Sequence, residues 1–200
     1  MNCNGDCTLL AMSPDSRTFS YVIGYDQDTF SGTLALWDLE NATSHILGKT
    51  FNPFCYMDLE DRRAERYGLY SPDGRFIRFI TPEGELVVVR TDTKAEIHRA
   101  NVGRAYNQWF NEWPCPNFSE FHPTQPKLLY YVPSGRFAIL NLETRFLQQA
   151  TANTSNAIAT WFPPAFSDNG TMVAFLGDII EGTRRGTLRL WDLTTDRAID

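Results

Sequence analysis

The sequence predicts an all-β fold built from four copies of one unit, and three observations support this prediction. The octapeptide GTLALWDL at 32–39 recurs as GTLRLWDL at 186–193, with seven of eight positions the same. Two stretches between them, GELVVVRT at 84–91 and GRFAILNL at 135–142, fit the same frame without a gap. The residues at the sixth position are spaced by 52, 51 and 51, and a tight-turn sequence precedes each copy. A fixed period of this kind indicates a repeat architecture.

Each unit reads as four short strands, which we label a to d. Strand a ends at a sequence typical of tight turns, in the four copies MSPDSR, YSPDGR, FHPTQP and FSDNGT. Strand b follows and is rich in β-branched and aromatic residues. The octapeptide forms strand c, and a second turn leads to the more polar strand d. The units of this single predicted domain span approximately 7–51, 67–101, 116–151 and 160–200.

Strand c is apolar on both faces, and this decides how the units pack. In TLALWDL, Leu34 and Leu36 face one way, whereas Ala35, Trp37 and Leu39 face the other. A strand of this kind needs a covering layer on each side. Strand d alternates with polar residues, as an outer edge strand does. Four-stranded units stacked face to face satisfy both requirements, so the sequence predicts a β-propeller with about four blades.

The repeat markers carry a family resemblance. Trp37-Asp38 and Trp191-Asp192 each close a strand c, and with the SPDG turns one strand earlier they resemble WD-repeat β-propellers over nearly the whole chain. The period of 51 exceeds the usual 40–45 residues. The Gly-His pair that normally precedes strand a is absent. The family's buried Asp-His-Ser/Thr-Trp network therefore cannot form in its usual shape, and we interpret the tryptophans as apolar wedges between blades.

The resemblance also implies closure with more blades, most often seven. An open array of four would leave apolar blade faces in water, which soluble monomers avoid. Three arrangements remain: part of a larger or split propeller, which we favour; association with another chain; or a four-bladed ring. Continuation of the chain or self-association would supply the missing blades in the first two.

Composition and motifs narrow the function classes. The net charge is −6 and the pI about 5.1, which argues against nucleic acid or anionic membranes as partners. No apolar run reaches membrane-spanning length, so we expect a cytoplasmic protein with its four cysteines reduced. Neither G-x-S-x-G, H-E-x-x-H nor a phosphate-binding glycine loop occurs. We therefore expect no catalytic residues, no cofactor and no metal.

The residues in excess of a standard repeat are concentrated in the d–a and b–c connections, which a propeller places on one face. Long loops gathered on one face of a repeat scaffold are commonly the binding face. The candidate partner-binding residues in these loops are Tyr56, Tyr106, Trp109, Phe110, Trp113 and Trp161, with Arg184 and Arg185 at the rim. Two interpretations stay open: the aromatic side chains are exposed anchors, or they pack down onto the blades.

The sequence therefore predicts a non-catalytic interaction scaffold that binds a peptide or protein domain on its long-loop face. The alternative is a non-catalytic propeller domain of a larger enzyme or multidomain regulator, which gates or docks its partner domain. Both rest partly on fold-level analogy.

Overall fold

The computed structural model describes residues 6–51, 69–102, 119–132, 136–149, 164–177 and 187–199. Every regular element in these ranges is a β-strand, so the predicted all-β class is confirmed. The chain divides into two compact units, Met1–Pro116 and Asn117–Asp200. We call them unit 1 and unit 2.

Unit 1 contains two antiparallel sheets, blade 1 and blade 2. The strands of blade 1, in spatial and sequence order, are β1 (Cys7–Met12), β2 (Thr18–Asp26), β3 (Ser31–Asp38) and β4 (Thr43–Phe51). Those of blade 2 are β5 (Phe76–Ile80), β6 (Glu85–Arg90) and β7 (Glu96–Asn101). In blade 2 the described part of strand a is a bridge between Tyr70 and Ile77. It is extended by a hydrogen bond from the amide of Arg78 to the carbonyl of Leu69, at 2.9 Å.

Unit 2 contains two further antiparallel sheets, blade 3 and blade 4. The strands of blade 3 are β8 (Ser119–Phe121), β9 (Lys127–Val132), β10 (Arg136–Asn141) and β11 (Leu147–Gln149). Those of blade 4 are β12 (Ala165–Phe166), β13 (Met172–Gly177), β14 (Thr187–Asp192) and β15 (Arg197–Ile199). All four sheets are therefore up-and-down meanders in which the octapeptide forms strand c, flanked by b and d.

One hydrogen-bond pattern closes the a–b turn in blades 1, 2 and 4. In blade 1, Ser13 Oγ donates to the Asp15 carboxylate at 2.6 Å and accepts from the amide of Thr18 at 2.9 Å. The amide of Arg17 also donates to the Asp15 carboxylate, at 3.1 Å. The same three bonds, with lengths equal to within 0.1 Å, recur at Ser71 with Asp73 and at Ser167 with Asn169. These local side-chain bonds explain why Ser-x-Asp/Asn sequences bend the chain there.

Each unit buries its core between its two blades. The cluster in unit 1 joins Val22, Leu34 and Leu36 of blade 1 to Ile77, Phe79, Val87 and Val89 of blade 2. The cluster in unit 2 joins Leu129, Phe137 and Ile139 of blade 3 to Val173, Phe175 and Trp191 of blade 4. A fully buried side chain of this size contributes roughly 1.5–3 kcal/mol to stability.

The two cores follow one packing rule. Strand c presents its fifth octapeptide residue to the following blade and its sixth to the preceding blade. Leu36 of blade 1 therefore packs on the side of blade 2 that carries Val89, and Ile139 of blade 3 on the side of blade 4 that carries Trp191. We call the side of a blade that packs on the following blade its forward face, and the side that packs on the preceding blade its rear face.

The expectation of four reduced cysteines is wrong at Cys7, which is disulfide-bonded. The other three cysteines lie outside the described residues. Because Cys7 opens the edge strand β1, a cross-link there ties down an end of the sheet that would otherwise fray. Disulfides persist mainly in oxidising environments, so the cytoplasmic location stays a prediction.

Candidate interaction site

The meander topology sorts the connections of every blade to opposite ends of its sheet. In an antiparallel a-b-c-d order, the a–b and c–d turns lie at one end, and the b–c connection and the entry to the next strand a lie at the other. We call these the short-turn end and the long-loop end. The short-turn end is compact in every blade: its a–b turns run over 13–17, 71–75, 122–126 and 167–171, and its c–d turns over 39–42, 91–95, 142–146 and 193–196.

The candidate partner-binding residues belong by sequence to the long-loop end, and all of them lie outside the described residues: Tyr56, Tyr106, Trp109, Phe110, Trp113, Trp161, Arg184 and Arg185. Their use as a binding surface remains a proposal. The described connections of this end are the b–c loops of blades 1 and 2, at 27–30 and 81–84.

The b–c loop of blade 1 is organised around Asp26. Its carboxylate accepts hydrogen bonds from the amide of Asp28 at 2.8 Å and from Thr29 Oγ1 at 2.8 Å. The bond from Thr29, followed by the one from Asp28, lowers the pKa of Asp26. The side chain is exposed, so this loop presents a fixed negative charge at the long-loop end.

The loop also forces Phe30 into the left-handed backbone region, with φ of 51°. An aromatic residue is uncommon there, and such strain persists only where neighbouring bonds hold the backbone. The Asp26 bonds supply that support one residue earlier, at Thr29.

The acidic repeat markers lie at the opposite, short-turn end. Asp38 accepts from the amides of Glu40 and Asn41, both at 3.0 Å. Asp192 accepts from the amide of Thr194 at 2.8 Å and from its hydroxyl at 2.6 Å. Asp38 and Asp192 therefore cap their c–d turns.

Their charge state follows from these bonds. Hydrogen bonds from Asn41 lower the pKa of Asp38, and those from Thr194 lower the pKa of Asp192 to about 2. Both carboxylates are therefore ionised at neutral pH, and their oxygens are engaged in closing their own turns.

The two marker tryptophans differ in their surroundings. Trp191 is 1% exposed, and its Nε1–H donates to Asp196 at 3.0 Å. Its ring stacks on that of Phe137 in blade 3, with centroids 6.5 Å apart, so it is a wedge between the blades of unit 2. Trp37 lies on the rear face of blade 1 and stacks on Phe19 of its own blade, with centroids 6.3 Å apart.

His122 has a structural role that the sequence analysis missed. It occupies the position of the turn serine in blade 3, and its Nδ1 accepts from the amides of Thr124 at 3.2 Å and Gln125 at 3.0 Å. The ring is therefore neutral, with the proton on Nε2, which lies 3.1 Å from the carbonyl oxygen of Gly170 in the a–b turn of blade 4. Its place in FHPTQP, in register with the three serines, was the available signal.

The environment of His122 opposes protonation. Burial lowers its pKa, and the bond to Gly170 acts in the opposite direction with a smaller effect. A Cβ at Gly170 would overlap the imidazole ring, and φ of +69° already favours glycine there. His122 thus connects the a–b turns of blades 3 and 4 by a contact that leaves no room for a larger residue.

The described ranges contain no cluster of three or more His, Cys, Asp or Glu side chains that could hold a metal ion. The same ranges contain no helix whose length and apolarity would let it cross a membrane.

Comparison with solved structures identifies the architecture. The chain superposes on the WD40 repeats of RRP9 with a TM-score of 0.52 at 11% identity, covering 97% of this chain and 53% of that one. Its fold is that of WD40 β-propellers. U3-55K gives 0.51 at 11% identity, with 97% and 54% covered. The β-propeller domain of Myceliophteria thermophila Cps50 (Swd1) gives 0.50 at 9% identity, with 96% and 56% covered.

The chain therefore spans about half the length of these WD40 structures. No protein-family model matches it, and no curated protein does either. At 9–11% identity the likeness concerns the WD40 fold alone.

Proposed function

We propose that the protein is a non-catalytic protein–protein interaction scaffold that binds a peptide or a protein domain at its long-loop end. The observation that carries the proposal is the unequal use of the two ends of the sheets. Every turn at the short-turn end is compact and engages its own polar side chains. The excess length of the repeat falls at the other end, where a repeat scaffold commonly binds.

The amino-acid composition of the long connections also favours binding at the long-loop end. The aromatic candidates fall within 52–66, 101–115 and 151–163, each joining a strand d to the next strand a. Aromatic side chains bury a large area at low entropic cost, which is why they dominate binding hot spots. By contrast, the described turns of the short-turn end contain one aromatic residue, Phe146.

The charge of the scaffold indicates the chemistry of its partner. The net charge is −6, and one of the carboxylates that contribute to it, Asp26, lies ionised at the long-loop end. A peptide or domain with an apolar centre, a basic group facing Asp26 and acidic groups facing Arg184 and Arg185 complements this surface. Nucleic acid and anionic membranes do not.

The experiment begins with peptides selected for binding to the intact chain from a random displayed library. We expect Trp109→Ala and Trp113→Ala to weaken the binding of the selected peptides by about tenfold or more, because truncating a hot-spot aromatic residue costs about 2 kcal/mol or more. The dissociation constant is measured by calorimetry, and the melting temperature of each variant is measured alongside it.

Phe146→Ala is the matched control. Phe146 is 66% exposed and is the last residue of the c–d turn of blade 3, at the opposite end. The proposal requires that this variant bind as the unchanged protein does. If Trp109→Ala and Trp113→Ala unfold the chain, the aromatic residues pack onto the blades. If Phe146→Ala alone weakens binding, the partner uses the short-turn end.

A further inference from the structure

The forward face of blade 4 is open, although the same register positions are buried in the other three blades. Leu188 is 63% exposed, whereas the third octapeptide residue is at most 1% exposed in blades 1 to 3: Leu34, Leu86 and Phe137. Leu190 is 36% exposed, whereas the fifth residue is at most 8% exposed there: Leu36, Val88 and Ile139. The sequence pattern of strand c predicts cover on both faces, and blade 4 lacks one of them.

A third apolar side chain extends this open face. Ile199 lies directly opposite Leu190 across β14 and β15 and is 47% exposed. Pairs facing each other across an antiparallel ladder share one side of the sheet. Leu188, Leu190 and Ile199 thus form a continuous apolar surface, which we call the blade 4 patch.

The rear face of blade 1 carries a matching surface. Leu9, Met12 and Ile46 are 58%, 51% and 70% exposed. The strand register places all three on the same side of the sheet as Trp37. Met12 pairs with Phe19, which pairs with Trp37. Leu9 and Ile46 lie in the row of Ala35, two residues before Trp37 on the same strand. We call Leu9, Met12, Trp37 and Ile46 the blade 1 patch. The residues equivalent to Trp37 in the other blades are 1–3% exposed: Val89, Leu140 and Trp191.

The packing within the two units indicates which kind of face covers the blade 4 patch. In both units a forward face packs on a rear face. The blade 4 patch lies on a forward face and the blade 1 patch lies on a rear face, so the two are complementary in kind. On that rear face Tyr21 and Ala35, which lie between Leu9 and Ile46, are buried, so its exposed part is the blade 1 patch and not the whole face.

We propose that the blade 4 patch of one copy of this chain packs against the blade 1 patch of a second copy. The occupant is a second copy because the chain itself supplies an exposed patch on a forward face and an exposed patch on a rear face. Moreover, one copy spans only 53–56% of the WD40 structures that it superposes on. A head-to-tail contact of this kind forms a ring if it closes and a longer assembly if it does not.

The net charge of the chain predicts that self-association and binding to a basic partner depend on salt in opposite ways. Two copies of an acidic chain repel each other, and salt screens that repulsion. Association between copies therefore strengthens as salt is added, whereas binding to a basic partner weakens.

The test is the molar mass of the intact chain by light scattering over a wide range of concentration. We expect self-association of the unchanged protein, weakened by about tenfold or more by Leu188→Glu in blade 4 and by Ile46→Glu in blade 1, since each places a charge at a desolvated contact. An equimolar mixture of the two variants is expected to associate, because each retains the patch that the other lacks. Phe146→Glu, at an equally exposed residue on neither patch, leaves the mass unchanged.

A single-chain mass at every concentration overturns the proposal. Association of the unchanged protein without association of the mixed variants overturns it too, because the contact then joins like faces. Circular dichroism verifies that the variants fold. Should either glutamate variant unfold, Leu188→Ser and Ile46→Ser replace the pair with the same expected pattern.

Discussion

His122 shows how one side chain substitutes for a serine in a repeated turn and gains a second contact. In blades 1, 2 and 4 a serine hydroxyl both donates to and accepts from its own turn. The imidazole accepts from its own turn and reaches the carbonyl of Gly170 in blade 4. The stability of unit 2 therefore depends on a neutral histidine.

Stability should fall between pH 7 and pH 5 through this group. The pKa of His122 is lowered in the folded state. Well above pH 6.5 the histidine is neutral in both states and has no effect on stability. As the pH falls through 6.5, the ordinary pKa of the unfolded chain, that chain binds a proton that the folded chain excludes, and this favours unfolding until the pH reaches the folded pKa. Urea unfolding at the two pH values measures the loss.

His122→Asn is the comparison variant, since an Asn side chain can still accept from the turn amides. We expect it to be less stable at pH 7 and to lose less stability on acidification. Equal losses in both proteins would show that other groups cause the acid sensitivity.

Gly170 and Gly74 test the contact from the other side. Both have positive φ, at +69° and +72°, so an alanine costs about 1–2 kcal/mol at either. At Gly74 the nearest atom to a new Cβ is 3.3 Å away, on the Asp15 side chain, whereas at Gly170 it overlaps the His122 ring. Overpacking adds about 1–3 kcal/mol, so Gly170→Ala should lose clearly more free energy of unfolding than Gly74→Ala. Equal losses would mean that the imidazole moves away freely.

At the level of the strand, strand c contains the sequence marker of each blade, and its side chains also pack against the neighbouring blade. Its sixth residue is a fully buried wedge in blade 4 and a half-buried side chain in blade 1, because the surfaces in front of Trp191 and Trp37 differ. The sequence motif LWDL is identical at the two places. Its energetic role is therefore set by the neighbouring blade and not by the motif.

The two tryptophans should consequently differ in the cost of truncation. We expect Trp191→Ala to lose about 3–5 kcal/mol, because it leaves a cavity against Phe137 and removes the bond to Asp196. Trp37→Ala should lose about 1–2 kcal/mol, since its ring is half-exposed and its stacking partner is Phe19. Urea unfolding followed by circular dichroism measures both. A larger loss at Trp37 would contradict the description of the two sites.

At the level of the whole molecule, the sequence predicted the architecture because its signals are local and repeated. Turn chemistry at Ser13, Ser71 and Ser167 and β-rich segments between turns recur with each unit, so each copy reinforces the others. WD40 β-propellers share this fold at about a tenth of identical residues, since strand packing tolerates many apolar sequences.

The sequence could not predict which blade faces are covered. Leu34 and Leu188 occupy the same octapeptide position, yet one is fully buried and the other 63% exposed. The exposure of a side chain on an end blade depends on the surface that packs against that blade, and the sequence of the strand alone does not determine it. The role of His122 escaped for a related reason, because its second partner, Gly170, is 48 residues away.

The proposed function requires that a partner bind at the long-loop end of the sheets. Hydrogen–deuterium exchange of the intact chain, with and without a selected peptide, measures this directly. We expect bound peptide to slow exchange in the d–a connections 52–66, 101–115 and 151–163 and to leave exchange in the a–b and c–d turns unchanged. Slowed exchange confined to those turns would contradict binding at the long-loop end.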